Sequence, residues 1–219
     1  MTRLAIFDLD GTLVDSAPDL HSALDRLMEA RGLPGFARAE VIGMIGDGAH
    51  ALVERALAAR KKPFDQAALD TFLADYTANA AVETRLFPGI AEALAALQEA
   101  GWRLAVCTNK PVAAARELLR ALGVLDRLAA LGGGDSFAAR KPDPRHLLGT
   151  MEAAGGRIGA SVMVGDHRND VVAARGAAIP CLFVAWGYGP PAMAEGAPIV
   201  TRPERLPAEL GAALGRLGA

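Results

Sequence analysis

Asp8 and Asp10 stand at the end of the apolar run Leu4-Ala5-Ile6-Phe7, and Gly11 follows. Alternate residues of an extended chain point the same way, so both carboxylates can share one site. Like charges that close repel unless something positive lies between them. A hard cation such as Mg²⁺, which takes oxygen ligands, suits that place. Taken alone, Asp-x-Asp reads first as a turn with two solvated aspartates. Three later stretches change the weighing: Thr108-Asn109, Lys141-Pro142-Asp143, and Gly165-Asp166 with Asp170. One carboxylate can attack phosphorus and form an aspartyl-phosphate. A second can protonate the leaving oxygen and then activate water. A hydroxyl, an ammonium and free N–H groups can stabilise the transferring phosphoryl group. Each stretch also has a plain reading: Thr108-Asn109 as a turn or cap, Lys141 as an exposed lysine before proline, Asp166 as a helix cap. Together they supply every part that phosphoryl transfer needs.

These residues need elements to hold them. Residues 4–7 carry no polar side chain and read as a strand buried on both faces. Further strands are expected at 102–108, 129–132, 161–164 and 180–184, each followed by a turn or helix signal. Helices are expected from Ser16 or Asp15, with Pro18 in the first turn, to Gly32; around Leu52–Leu57; and around Leu69–Tyr76. Others run about 89–100, from Pro111 to Gly123, after Pro142 and Pro144 to about Ala154, to about Gly176, and near the C-terminus. Between about 15 and 84 only helices are expected. Strands alternating with helices give an α/β class with a Rossmann-like parallel sheet. An inserted helical cap at 15–84 divides the core into 1–14 and 85–219. In such sheets, ligands bind at the carboxyl ends of the strands, where all four motifs would lie.

Bulk properties remove other classes. The chain has 219 residues, 52% of them hydrophobic, enough to bury a large core. Net charge is −2, so no basic face for nucleic acid is implied. No apolar run is long enough to span a bilayer. The short apolar start ends in acids, unlike a secretory signal, and a cytoplasmic location is expected. Cys107 and Cys181 lie in strand-like runs and read as reduced, buried thiols.

The segments Asp8-Leu9-Asp10-Gly11-Thr12, Thr108-Asn109, Lys141-Pro142 and Gly165-Asp166 with Asp170 resemble the four motifs of the haloacid dehalogenase superfamily. The stretches Gly11–Leu20, Ile45–Ala49, Leu52–Leu57, Val106–Pro111, Gly133–Ser136 and Trp186-Gly187-Tyr188 are similar to its phosphoglycolate phosphatase branch. The resemblance implies that Asp8 is nucleophile and metal ligand. It implies that Asp10 is general acid/base, with its backbone carbonyl on the metal, and that Asp166 completes the ligands of a Mg²⁺ ion. Asp170 would stand behind the ligands or hold Lys141, while Thr108, Asn109 and Lys141 would bind phosphate. The helical insert would close over the site and exclude water. Asp10 argues against halide chemistry, and Thr12 weakens a phosphomutase reading, since the mutases of this family often carry Val there.

The implied substrate is a small phosphorylated metabolite, with 2-phosphoglycolate foremost. Sugar phosphates, amino-sugar phosphates and pyrophosphate stay open, as does a non-catalytic phosphometabolite-binding role. The enzyme is expected to be a monomer or homodimer. Arg55 is the candidate partner for a substrate carboxylate, since its planar fork suits that group; its alternative is a solvated helix face. Gly46-Asp47-Gly48 reads as a substrate loop or a simple turn. Two positions depart from the branch: His167 where Ser is usual, expected as an exposed loop residue or a site contact, and Ala178 where Gly is usual.

Overall fold

The computed structural model describes residues 2–79 and 81–216. In chain order the elements are β1 (Arg3–Phe7), β2 (Val14–Asp15), α1 (Ala17–Ala30), α2 (Arg38–Ile42), α3 (Ala49–Ala59), α4 (Gln66–Asn79) and β3 (Arg85–Leu86). They continue with α5 (Ile90–Glu99), β4 (Trp102–Cys107), α6 (Val112–Ala121), β5 (Ala130–Gly132), α7 (Pro144–Ala153) and β6 (Ser161–Gly165). The last are α8 (Arg168–Gly176), β7 (Cys181–Val184), β8 (Ile199–Val200) and α9 (Leu206–Gly215). The main sheet is parallel with order β5-β4-β1-β6-β7-β8. The expected α/β class and parallel core are both present.

The alternation along β1 explains the layers. Ala5 and Phe7 face one cluster with Leu94, Leu118 and Leu210, which belong to α5, α6 and α9. Leu4 and Ile6 face the other, with Leu147 and Ala173 of α7 and α8. Residues 4–7 are at most 1% exposed, which is why this strand needs no polar side chain. The chain leaves β1 toward β4 and leaves β6 toward β7 on the opposite side. A crevice therefore opens between β1 and β6 at their carboxyl ends, where ligands bind in sheets of this kind. Asp8 and Asp166 are the residues immediately after those two strands.

Helices α1, α3 and α4 bury their apolar faces against one another. Leu24, Met28, Val53, Leu57 and Phe72 form a cluster of their own, joined to the sheet-bearing part through Ala114 of α6. Asp19, 4% exposed, binds the returning chain: its carboxylate accepts from the Glu83 N–H, the Thr84 N–H and the Thr84 hydroxyl.

Two local readings are corrected. Asp15, inside the stretch expected to be purely helical, belongs to β2, which pairs antiparallel with β3. A strand of two residues has no periodicity to detect. Ser16 precedes α1 but does not cap it with its side chain. Its hydroxyl donates to Asp10 Oδ1 at 2.6 Å instead. The Ser16 and Ala17 N–H groups donate to the Tyr188 hydroxyl at 2.8 and 2.9 Å, a partner 172 residues distant from Ser16.

Ala178 keeps the turn that glycine would favour. It follows α8 at φ 54°, and the Ile179 N–H reaches the Ala174 carbonyl while the Ala178 N–H reaches that of Arg175. This is a Schellman ending, which prefers glycine at the left-handed position. Ala178→Gly should therefore stabilise the protein by ~1 kcal/mol. A thermal melt checks this: Tm should rise by roughly 2–4 °C for a chain of this size.

Candidate active site

The site is built where strand hydrogen bonding runs out. The Asp8 N–H still bonds the Val164 carbonyl at 2.9 Å, which fixes the backbone as the side chain enters the crevice. Asp8 Oδ1 accepts from the Leu9 N–H at 2.7 Å and from Lys141 Nζ at 3.0 Å. Lys141 also donates to Asp170 Oδ1 at 2.6 Å. Asp170, fully buried, accepts the His167 N–H on its other oxygen. Asp170 thus holds Lys141 on Asp8, one of the two roles the resemblance implied.

Asp166 is oriented from several sides. Its Oδ1 accepts the Thr12 hydroxyl at 2.8 Å, and its Oδ2 accepts the Tyr188 and Gly189 N–H groups at 2.8 and 3.4 Å. Gly11 makes room for it: at φ 84°, a Cβ there would fall 2.3 Å from Asp166 Oδ2. Burial and the nearby charge of Asp8 push the Asp166 carboxyl up to about 6. Burial pushes Asp170 upward too, against the pull of Lys141. The lysine is raised in turn by Asp170 and Asp8, despite its burial, and stays an ammonium.

Oxygens of Asp8, Asp166 and Asp170 lie within 4.8 Å of one another. With Lys141 as their only direct ammonium partner among the described residues, two negative charges are left over. That balance fits a divalent cation held by oxygen ligands. The Asp10 side chain points away from this group. Its Oδ1 and Oδ2 each accept from Lys110 Nζ at 2.9 Å, and Oδ1 also accepts the Ser16 hydroxyl.

Thr108 and Asn109 line the same cavity as Asp8 and Asp10. The Asn109 amide donates to the Gly46 carbonyl at 3.1 Å and the Lys141 carbonyl at 2.9 Å, so its donors hold two loops together. The Gly46–Gly48 loop is clamped rather than free. Asn169 donates to the Gly46 carbonyl and to Asp47 Oδ1, and a Cβ on Gly46 would meet the His167 ring at 2.7 Å. His167 is half-buried, not a plain exposed loop residue. It caps α8, accepting the Asn169 N–H at 3.3 Å, because that loop packs on it.

Arg55 is not brought to the cavity. Its guanidinium bonds Asp47 and the Met44 carbonyl, and its side chain is 42% exposed. It braces the Met44–Asp47 turn. Two polar lining residues are not marked by the sequence reading, Lys110 and Tyr76. Lys110 follows Thr108-Asn109 directly, which was the available signal. Tyr76 was read only as an apolar face of its helix.

A family model of haloacid dehalogenase-like hydrolases matches residues 2–178, and the chain belongs to that family. Among individual proteins, it is 46% identical to the phosphoglycolate phosphatase of Agrobacterium fabrum over 89% of this chain and 85% of the relative. The phosphoglycolate phosphatase of Mesorhizobium japonicum is 42% identical, over 84% and 83%. The crystal structure of a predicted phosphoglycolate phosphatase from Haemophilus somnus superposes with a TM-score of 0.84 at 29% identity, covering 94% of this chain and 96% of that one. CbbY from Rhodobacter sphaeroides, solved in complex with phosphate, gives 0.78 at 25% identity, over 94% and 96%.

Two measurements probe the electrostatics. Millimolar Mg²⁺ should raise Tm by several degrees, because a cation bound only by the folded state stabilises it. Asp166→Asn should remove most of that shift in the same melt. His146, buried with Nδ1 on the Lys141 N–H at 3.2 Å, is held down to about 4 by burial and by the charge of Lys141. Its folded value lies below the unfolded one, so it disfavours folding as pH falls from about 6.5 toward 4. Urea titrations of His146→Gln over that window should show a smaller loss of stability on acidification than the unmutated protein.

Proposed function

We propose that the protein is a Mg²⁺-dependent phosphatase of small phosphate monoesters, with 2-phosphoglycolate as its substrate. The observation that carries this reading is the buried Asp8 carboxylate, fixed on Lys141 beside Asp166 at the floor of a cavity. The names of the relatives support the substrate. In this reading 15–84 is a cap over a core made of 1–14 and 85–219. The separate apolar cluster of α1, α3 and α4, and the Gly46 contacts with Asn109 and Asn169, support that division.

Asp8 attacks phosphorus, and the bond to the leaving oxygen breaks. Asp10 gives its proton to that oxygen, and the alcohol departs. Water then attacks the phosphorus of the aspartyl-phosphate. Its proton goes to Asp10, the acyl–phosphate link breaks at phosphorus, and Asp8 is regenerated with inorganic phosphate. Asp8, the Asp10 carbonyl and Asp166 would hold Mg²⁺, which neutralises phosphoryl charge when bound. Thr108 and Lys141 stabilise the same charge from the protein side. Asn109 acts with them by holding the Lys141 loop. Ser16 positions Asp10 through its hydroxyl.

Asp8→Asn should lower kcat by on the order of 10⁴-fold or more while leaving the thermal melt cooperative. A steady-state screen of the unmutated protein should rank 2-phosphoglycolate above pyrophosphate and sugar phosphates by kcat/KM. An active Asp8→Asn protein would exclude the mechanism. A ranking that put 2-phosphoglycolate low would remove the substrate and leave the mechanism standing.

A further inference from the structure

The cavity above Asp8 and Asp10 has an apolar roof and one ammonium. Leu20, Leu52, Phe72 and Leu73 form much of the side given by the helices. Among the described residues lining it, Lys110 is the only cation. Resting on the phosphatase reading, we propose that Lys110 Nζ and the Tyr76 hydroxyl form the subsite for a carboxylate on the leaving group of the substrate.

Lys110 is 5% exposed, and its ammonium lies between Asp10 and the face of the Tyr76 ring, 4.4 Å from the centroid. An ammonium has three donors. Its observed hydrogen bonds go to the two oxygens of one carboxylate, at 2.9 Å each, so a further acceptor can be served. Tyr76 is 2% exposed, and its hydroxyl makes no hydrogen bond of ordinary geometry, although the Lys110 ammonium lies beside it. Buried polar groups nearly always make such a bond, so this hydroxyl is the second mark of a ligand position.

The chemistry of the ester sets the distance. The leaving oxygen must reach Asp10 to receive a proton. Lys110 is bound to Asp10, so whatever the leaving carbon carries comes next to Lys110. In 2-phosphoglycolate that substituent is the carboxylate. An anion placed in an apolar cavity without a partner is strongly disfavoured. Arg55 does not answer that need, because it is occupied by Asp47 and does not line the cavity. Selectivity for a short carboxylated ester then comes from the motif loop beside Thr108 together with α4, two elements that meet only when the helical unit packs on the core.

The test is binding without turnover. In an Asp8→Asn background with Mg²⁺, calorimetry compares 2-phosphoglycolate with ethyl phosphate, which has the same phosphate and no carboxylate. The parent should bind 2-phosphoglycolate about 30-fold more tightly, the scale of a charged hydrogen bond. Adding Lys110→Met should bring the ratio to within about 3-fold, Lys110→Arg should keep part of it, and Tyr76→Phe should lower it by about 5-fold. A general disturbance of the fold or of Asp10 weakens both ligands alike, and that result overturns the subsite. Equal affinities in the parent overturn it as well. Failure of the phosphatase reading looks different: neither ester binds, and the protein with Asp8 intact turns over neither.

Discussion

Negative charge is gathered in a place with little water, and much of the structure around β1 and β6 answers to that. Asp8, Asp166 and Asp170 are all at most 7% exposed. Unpaired carboxylates in such surroundings would protonate or force the loops apart. Lys141 is the direct counterweight, itself 2% exposed and reachable only because the turn before α7 brings it over the crevice. The N–H groups of Leu9, His167, Tyr188 and Gly189 supply the rest of the protein's compensation. The negative charge that the protein leaves uncompensated suits a cation with oxygen ligands.

Asp10 lives under different electrostatics from Asp8, though only Leu9 separates them. Asp8 faces the carboxylate group and Lys141. Asp10 faces Lys110 and Ser16. Two like carboxylates therefore receive unlike partners, the kind of division that separates the behaviour of paired acids. The helical unit takes part in this separation. Ser16 stands at the entrance to α1, and Tyr76 on α4 covers Lys110. Tyr188 reaches from the loop after β7 to serve the start of α1, and Asp19 secures the return of the chain near Thr84. The two strands that leave and re-enter the core are thus pinned at both ends. The Gly46 loop between them is held by Asn109 and Asn169.

Much of this was legible in the chain itself. The polar-free run at 4–7, the acids and glycine after it, and the regular return of apolar strands specify a buried parallel sheet with chemistry at its carboxyl ends. These are local patterns, and local patterns survive without knowledge of the partner. The sequence also brought forward Asp8, Asp10, Thr108, Asn109, Lys141, Asp166 and Asp170, because each lies just past a strand or near the start of a helix. It left Arg55 open between a substrate partner and a solvated face, because a guanidinium is equally able to bind a ligand or its own neighbour; here it pairs with Asp47.

Residue types and spacing by themselves determined the fold class, the acids that share the crevice, and the lysine that must balance them. Only the tertiary structure decided how those groups divide their partners. The lining of Lys110 by Tyr76, the use of Ser16 on Asp10 rather than on its own helix, and the capping of α1 by Tyr188 join residues 34, 6 and more than 170 positions apart. Such pairings have no sequence period. They arise because packing the helical unit on the sheet brings distant side chains within hydrogen-bonding distance, and buried polar groups must then take the partners that geometry offers.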